Sequence, residues 1–208
     1  MPKKRGPKTL WMRRAKYQRA KNRKRLKPAQ VHGLREADTF ARKLGFHLNT
    51  FLTVTWSLTH FGDVSFDTEK APAILKEFRR RVAQWLKARK VHLFWIYVHE
   101  NRGLNFHTHI MLHIPPVFAA EFEAMAARLA GSISESAVDV QPRNRPGNFQ
   151  NRLDYMCKGT DPVTARQLRL GPTSDQGEIE CKRCGWSENL GQRARMKPGF
   201  HAMQSEKL

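Results

Sequence analysis

Between Asn105 and Ile114 the chain alternates as an extended strand does, with successive side chains on opposite faces. Phe106, Thr108, Ile110, Leu112 and Ile114 form one almost wholly apolar face, and His107, His109, Met111 and His113 form the other. Residues 91–98 are apolar on both faces, which predicts a strand in the middle of a sheet. A short turn over 101–104 joins these two strands as an antiparallel hairpin, and Pro115 and Pro116 end the second. Residues 51–57, rich in β-branched and aromatic side chains, predict a further strand, and 137–141 a short one. Helical spacing takes over elsewhere. Ile74, Leu75, Phe78, Val82, Trp85 and Leu86 predict an amphipathic helix over 72–90. Phe118, Phe122, Met125 and Leu129 predict another over 117–130, and Phe149, Leu153 and Met156 a third over 148–159. A short helix over 36–46 would end at Gly45.

From residue 51 the order is strand, helix, strand, strand, helix, strand, helix. That order predicts an α+β fold: a central antiparallel sheet with two helices on one face and the third helix crossing the histidine-bearing face. The predicted organisation is a basic arm over 1–35, one folded domain over 36–160 and an extension over 161–208. No internal repeat is visible. No phosphate-binding Gly-x-x-x-x-Gly-Lys-Ser/Thr loop occurs, which excludes a nucleotide-driven motor of that class.

Charge narrows the class of partner. The 208 residues carry a formal net charge of +20, and residues 1–35 hold 14 of the 38 Lys and Arg with no acid among them. Such an arm cannot bury enough surface to fold alone, and it suits a densely negative partner, nucleic acid first. Trp11 and Tyr17 are set among its bases, where they can stack on a nucleobase or sugar. A membrane partner is disfavoured, because there is no apolar helical stripe in the arm, no lipidation signal and no run approaching the ~18 apolar residues of a spanning helix. Three cysteines make no disulfide framework, so the expected compartment is reducing, a bacterial cytoplasm before a nucleus.

The candidate chemistry sits on the hairpin. Two imidazoles at i and i+2 on one strand face, His107 and His109, can hold one metal ion together. Glu100, seven residues before His107 and across the turn, can bring a carboxylate to the same ion. Two nitrogens and one oxygen leave coordination positions open for water or a phosphate oxygen. On the third helix Tyr155 has Arg152 and Lys158 three residues to either side, on its own flank. A phenol is a poor nucleophile at neutral pH unless cations and a metal-polarised target assist it. Of the three tyrosines, Tyr17 lies in the arm and Tyr97 within a strand, so Tyr155 is the candidate nucleophile.

The sequence Phe-Leu-Thr-Val-Thr at 51–55, Glu100 with His107-Thr-His109, and Tyr155-Met-Cys-Lys158 resemble, in order, the three motifs of the HUH endonucleases. Within that superfamily the single-tyrosine rolling-circle replication initiators are the nearest pattern. The resemblance spans roughly residues 48–160. It implies a ferredoxin- or RRM-like fold, Mg or Mn at Glu100, His107 and His109, and attack by Tyr155 on single-stranded DNA at an origin or hairpin, giving a 5′-phosphotyrosine. It implies Lys158 as an aid to the metal or the phosphate. Host replication proteins would be further partners. Arg143, Arg145 and Arg152 are the candidate contacts to the DNA backbone. Thr108 departs from the pattern, which has a bulky hydrophobe between the histidines. The second tyrosine of two-tyrosine relatives is absent, position 159 being Gly.

Relaxases and single-tyrosine transposases share this chemistry. His-triad hydrolases want a histidine where Met111 stands, and mononuclear iron oxygenases want a barrel of many strands. A non-enzymatic alternative is a zinc-stabilised DNA-binding protein. Cys181-Lys-Arg-Cys184-Gly resembles half a zinc knuckle, to which His201 would add a ligand.

Overall fold

The computed structural model describes residues 24–65, 67–142 and 152–196. The expectations for Trp11, Tyr17, Arg143, Arg145, Phe149 and His201 fall outside them. Five strands form one open antiparallel sheet: β1 (Thr50–Thr55), β2 (Trp95–Arg102), β3 (Asn105–Leu112), β4 (Val138–Pro142) and β5 (Cys184–Trp186). The helices are α1 (Pro28–Lys43), α2 (Ala71–Lys87), α3 (Ala119–Ala130) and the short α4 (Arg152–Met156), α5 (Pro162–Gln167) and α6 (Gln192–Arg195). The strand order is β4-β1-β3-β2-β5. From β1 to β4 the chain runs β-α-β-β-α-β, and β3 is inserted between β1 and β2, as in the ferredoxin-like split βαβ arrangement. The α+β class read from the hydrophobic pattern is the observed one.

The hairpin register decides where the chemistry lies. Gly103 and Leu104 both have positive φ, 62° and 58°, the conformation of a two-residue turn whose twist matches the strands. Counting back from it, Asn101 pairs with Phe106, Glu100 with His107 and Val98 with His109. On its other side β3 pairs with β1, which sets Thr53 opposite His109.

Alternation then splits the core in two. Leu52, Val54, Trp95, Phe106, Ile110 and Leu112 face α2 and α3, meeting Ile74, Phe78, Val82, Trp85 and Phe122. Phe51, Ile96, Val98 and Met111 face the other way and are covered by Val31, Leu34, Phe40 and Ala41 of α1 and by Met156 of α4. The tyrosine helix thus lies over the histidine-bearing face, but a long helix shares that face with it.

The chain folds further than the pattern predicted at both ends. α1 begins at Pro28, eight residues before the expected 36. Proline at its first turn and the Gln30 side chain reaching back to the Lys27 amide (2.8 Å) start it, and Val31, Leu34, Ala37 and Ala41 make a buried stripe. The helix closes at Leu44 with Gly45 at φ 79° beyond it. At the other end β5 completes the sheet, pairing Ile96 with Trp186, Tyr97 with Gly185 and Val98 with Cys184. Residues 28–35 and much of the stretch beyond 160 therefore belong to the folded body, which corrects the expected boundaries of 36 and 160.

Candidate metal centre

Adjacent strands bring three side chains to one point. His107 Nε2 lies 3.0 Å and His109 Nε2 3.5 Å from the same carboxylate oxygen, Glu100 Oε2. Among the described residues these three form a group able to hold a metal ion, with ligand atoms within 4.8 Å of one another. Glu100 and His109 are buried and His107 is partly so.

The hydrogen bonds orient both rings for ligation. His107 Nδ1 is 2.9 Å from the Asn105 carbonyl oxygen, an acceptor, so that nitrogen carries the proton. Its Nε2 then faces the carboxylate, an arrangement that calls for a second proton or a cation between the two atoms. His109 Nδ1 is 3.0 Å from the Thr53 hydroxyl, which leaves its Nε2 toward Glu100. Glu100 Oε1 and His109 Nε2 are buried and, among the described residues, have no hydrogen-bond partner. Buried polar atoms without partners are costly, and a divalent cation would satisfy both. Separations of 3.0 and 3.5 Å also suit ligands that each stand ~2.1 Å from one ion. The residues fit a metal.

Charge states agree. Burial pushes the Glu100 carboxyl up, but the imidazoles of His107 and His109 and the Lys158 ammonium outweigh it and hold the group well below the usual carboxylate range. Burial, with His107 and Lys158, pushes the His109 imidazole down against the pull of Glu100, so it is neutral, as a ligand must be.

α4 delivers the remaining candidates. Lys158 Nζ lies 3.1 Å from Glu100 Oε2 and 3.6 Å from the centre of the Tyr155 ring. The Tyr155 ring stands edge-on to His109, centroids 5.1 Å apart, and edge-on to Phe51 at 6.3 Å. It is 44% exposed. The Arg152 guanidinium sits 5.1 Å from the centre of the Phe51 ring. Five of the sequence candidates, Glu100, His107, His109, Tyr155 and Lys158, are therefore one cluster, with Arg152 at its margin.

Three residues make supporting contacts that had no clear sequence signal. Thr53 meets His109 only through the β1–β3 register. Arg35 of α1 bonds Asp154, the neighbour of Tyr155, at 3.0 Å and the Leu168 carbonyl at 3.0 Å, tying the tyrosine helix down. Thr108, on the opposite face, accepts from Trp56 Nε1 at 2.6 Å and lies 2.7 Å from His99 Nδ1.

The cysteine pair does not form a half-site. Cys184 is buried in the core beneath α1, whereas Cys181 packs against the core beneath α2 and α3, on the other side of the sheet. Both are free thiols, each pushed up to about 11 by burial. Neither joins a group of three ligands among the described residues. Cys157, buried and pushed up to about 12, is a packing residue too. No helix among the described residues is long and apolar enough to cross a membrane. Compared with known protein families, with curated proteins and with solved structures, the chain matches none.

Proposed function

We propose that this protein is a metal-dependent HUH-type endonuclease that nicks and rejoins single-stranded DNA through Tyr155. One observation carries the reading: His107, His109 and Lys158 converge on a single oxygen of Glu100, with the Tyr155 ring packed against both His109 and Lys158. Ligands, a cation and a phenol in one half-open cluster are the parts that phosphoryl transfer needs, since that chemistry depends on positioning and charge stabilisation.

Glu100, His107 and His109 would hold Mg or Mn, which when bound supplies the polarisation of the scissile phosphate. The mixed nitrogen and oxygen donors favour Mn over Mg. Tyr155 Oη forms a bond to phosphorus as its proton leaves to solvent, and the bond from phosphorus to the 3′ oxygen breaks. That oxygen takes up a proton to become the free 3′-hydroxyl. The 5′ end stays on Tyr155 as a phosphotyrosine, and the reverse attack by a 3′-hydroxyl reseals or transfers the strand. Lys158 offsets charge on the phosphate, and Arg152, with Arg143 and Arg145 from the sequence, holds the flanking backbone. The biological setting we infer is initiation of rolling-circle replication of a plasmid or phage. Relaxases and transposases would share every step.

A denaturing gel tests this. The full chain, a randomised single-stranded pool or the adjacent origin, and Mn should give a covalent protein–DNA band that Tyr155→Phe and EDTA each abolish. Cleavage surviving in Tyr155→Phe would overturn the assignment of the nucleophile. DNA binding without any adduct would move the protein to the non-catalytic class.

A further inference from the structure

Lys158 sits at the oxygen on which the candidate metal ligands converge. Its side chain is 15% exposed, and its ammonium is 3.1 Å from Glu100 Oε2, the oxygen on which both imidazoles converge. The same ammonium is 3.6 Å from the centre of the Tyr155 ring. One positive charge therefore serves both the metal carboxylate and the face of the nucleophile. An isolated carboxylate buried this deeply is costly, and Lys158 joins the imidazoles of His107 and His109 in offsetting the charge of Glu100, as the one ammonium in direct contact with it among the described residues. A dication and an ammonium cannot share that oxygen at these distances without strong repulsion, which water screens little at the fully buried Glu100.

We propose that Lys158 is a placeholder for the metal: it neutralises Glu100 until the ion binds, then leaves the carboxylate and turns its charge to the phosphate beside Tyr155. The first half rests on the ligand cluster alone; the second also rests on Tyr155 being the nucleophile. The device has two consequences. The ligand cluster stays assembled without the ion, because its charge is already balanced. Lys158 also becomes available to the substrate only once the ion has bound, so DNA strand cleavage is coupled to metal loading at a single side chain.

Two measurements on the full chain test it, both apart from cleavage. Titration with Mn alone should show Lys158→Met binding the ion about tenfold more tightly than the wild type, since no ammonium has to be displaced. An amine-reactive acylating reagent with mass-spectrometric readout should label Lys158 in the wild type several-fold faster with Mg than with EDTA, because the amine loses its carboxylate partner. The labelling needs no variant, so a folding defect in Lys158→Met leaves the inference exposed to test. Mn bound equally or more weakly by a folded Lys158→Met, or labelling that metal leaves unchanged or slows, overturns the placeholder role while the metal centre stands. No Mn binding by the wild type overturns both, and the Tyr155 adduct assay reports separately on the nucleophile.

Discussion

Thr108 stands between the two imidazoles of β3 and turns away from both. Alternation alone places it on the apolar face, where a large hydrophobe would be the simple choice. The structure explains the threonine by its hydroxyl: it accepts from the Trp56 indole and hydrogen-bonds with His99 Nδ1, inside the core. Burial pushes His99 down to about 3, so this imidazole is neutral. Thr108→Val keeps the shape and leaves two buried groups unpaired, which should cost about 2–4 kcal/mol in urea denaturation. Mn affinity should stay nearly unchanged, because the side chain faces away from the ligands. Thr53→Val is expected to behave in the opposite way. It removes the hydroxyl at His109 Nδ1, and loss of such an outer partner weakens metal binding by roughly tenfold or more, with a small effect on stability. A stability loss without an affinity loss at Thr53 would mean that the hydroxyl only packs.

At the scale of elements, β1 to β4, the two helices beneath the sheet and the ligand cluster were legible, because each rests on local periodicity or on a hairpin only a few residues long. The first half of α1 was not: the helix was expected only from 36, because residues 28–35, with Arg35, read as continuous with the basic arm, although Pro28, Val31 and Leu34 marked them. β5 was hidden for a different reason. Three residues have no periodicity to read, and what fixes them is long-range. The Asn101 amide donates to the Gln176 carbonyl at 2.8 Å and the His99 amide to the Arg183 carbonyl at 2.7 Å, on either side of Glu100. The Arg183 guanidinium, buried, donates back to the carbonyls of His99 at 3.3 Å and Gly177 at 2.6 Å. Gly177 has φ 72°, and a Cβ there would overlap the Asn101 carbonyl. Gly177→Ala should therefore cost about 2–4 kcal/mol, from left-handed strain plus a backbone collision, and should weaken Mn binding by shifting the strand that carries Glu100. A chain ending at residue 160 should lose its cooperative unfolding transition. If instead it melts as the full chain does, β5 and the segment before it are ornament and the expected boundary at 160 was right.

Across the whole molecule the dominant fact is charge, and it is divided between two parts. Residues 1–23 contain ten basic residues and no acid, so without them the formal charge falls from +20 to +10. The candidate metal ligands, Tyr155 and Lys158 lie entirely within residues 53–158. Affinity and chemistry should then separate. For single strands each phosphate neutralised contributes about 0.7 to the slope of log affinity against log salt, so an arm engaging five to ten phosphates would account for a slope of roughly 3.5–7. Deleting residues 1–23 should lower the measured slope by about that amount and weaken DNA binding most at low salt. Mn affinity should be unaltered, and so should the extent of Tyr155 adduct at saturating DNA. An unchanged slope would place the phosphate contacts on the folded body, where Lys158 and Arg152 already flank the tyrosine. A lost adduct at saturating DNA would instead mean that the arm positions the strand as well as attracting it.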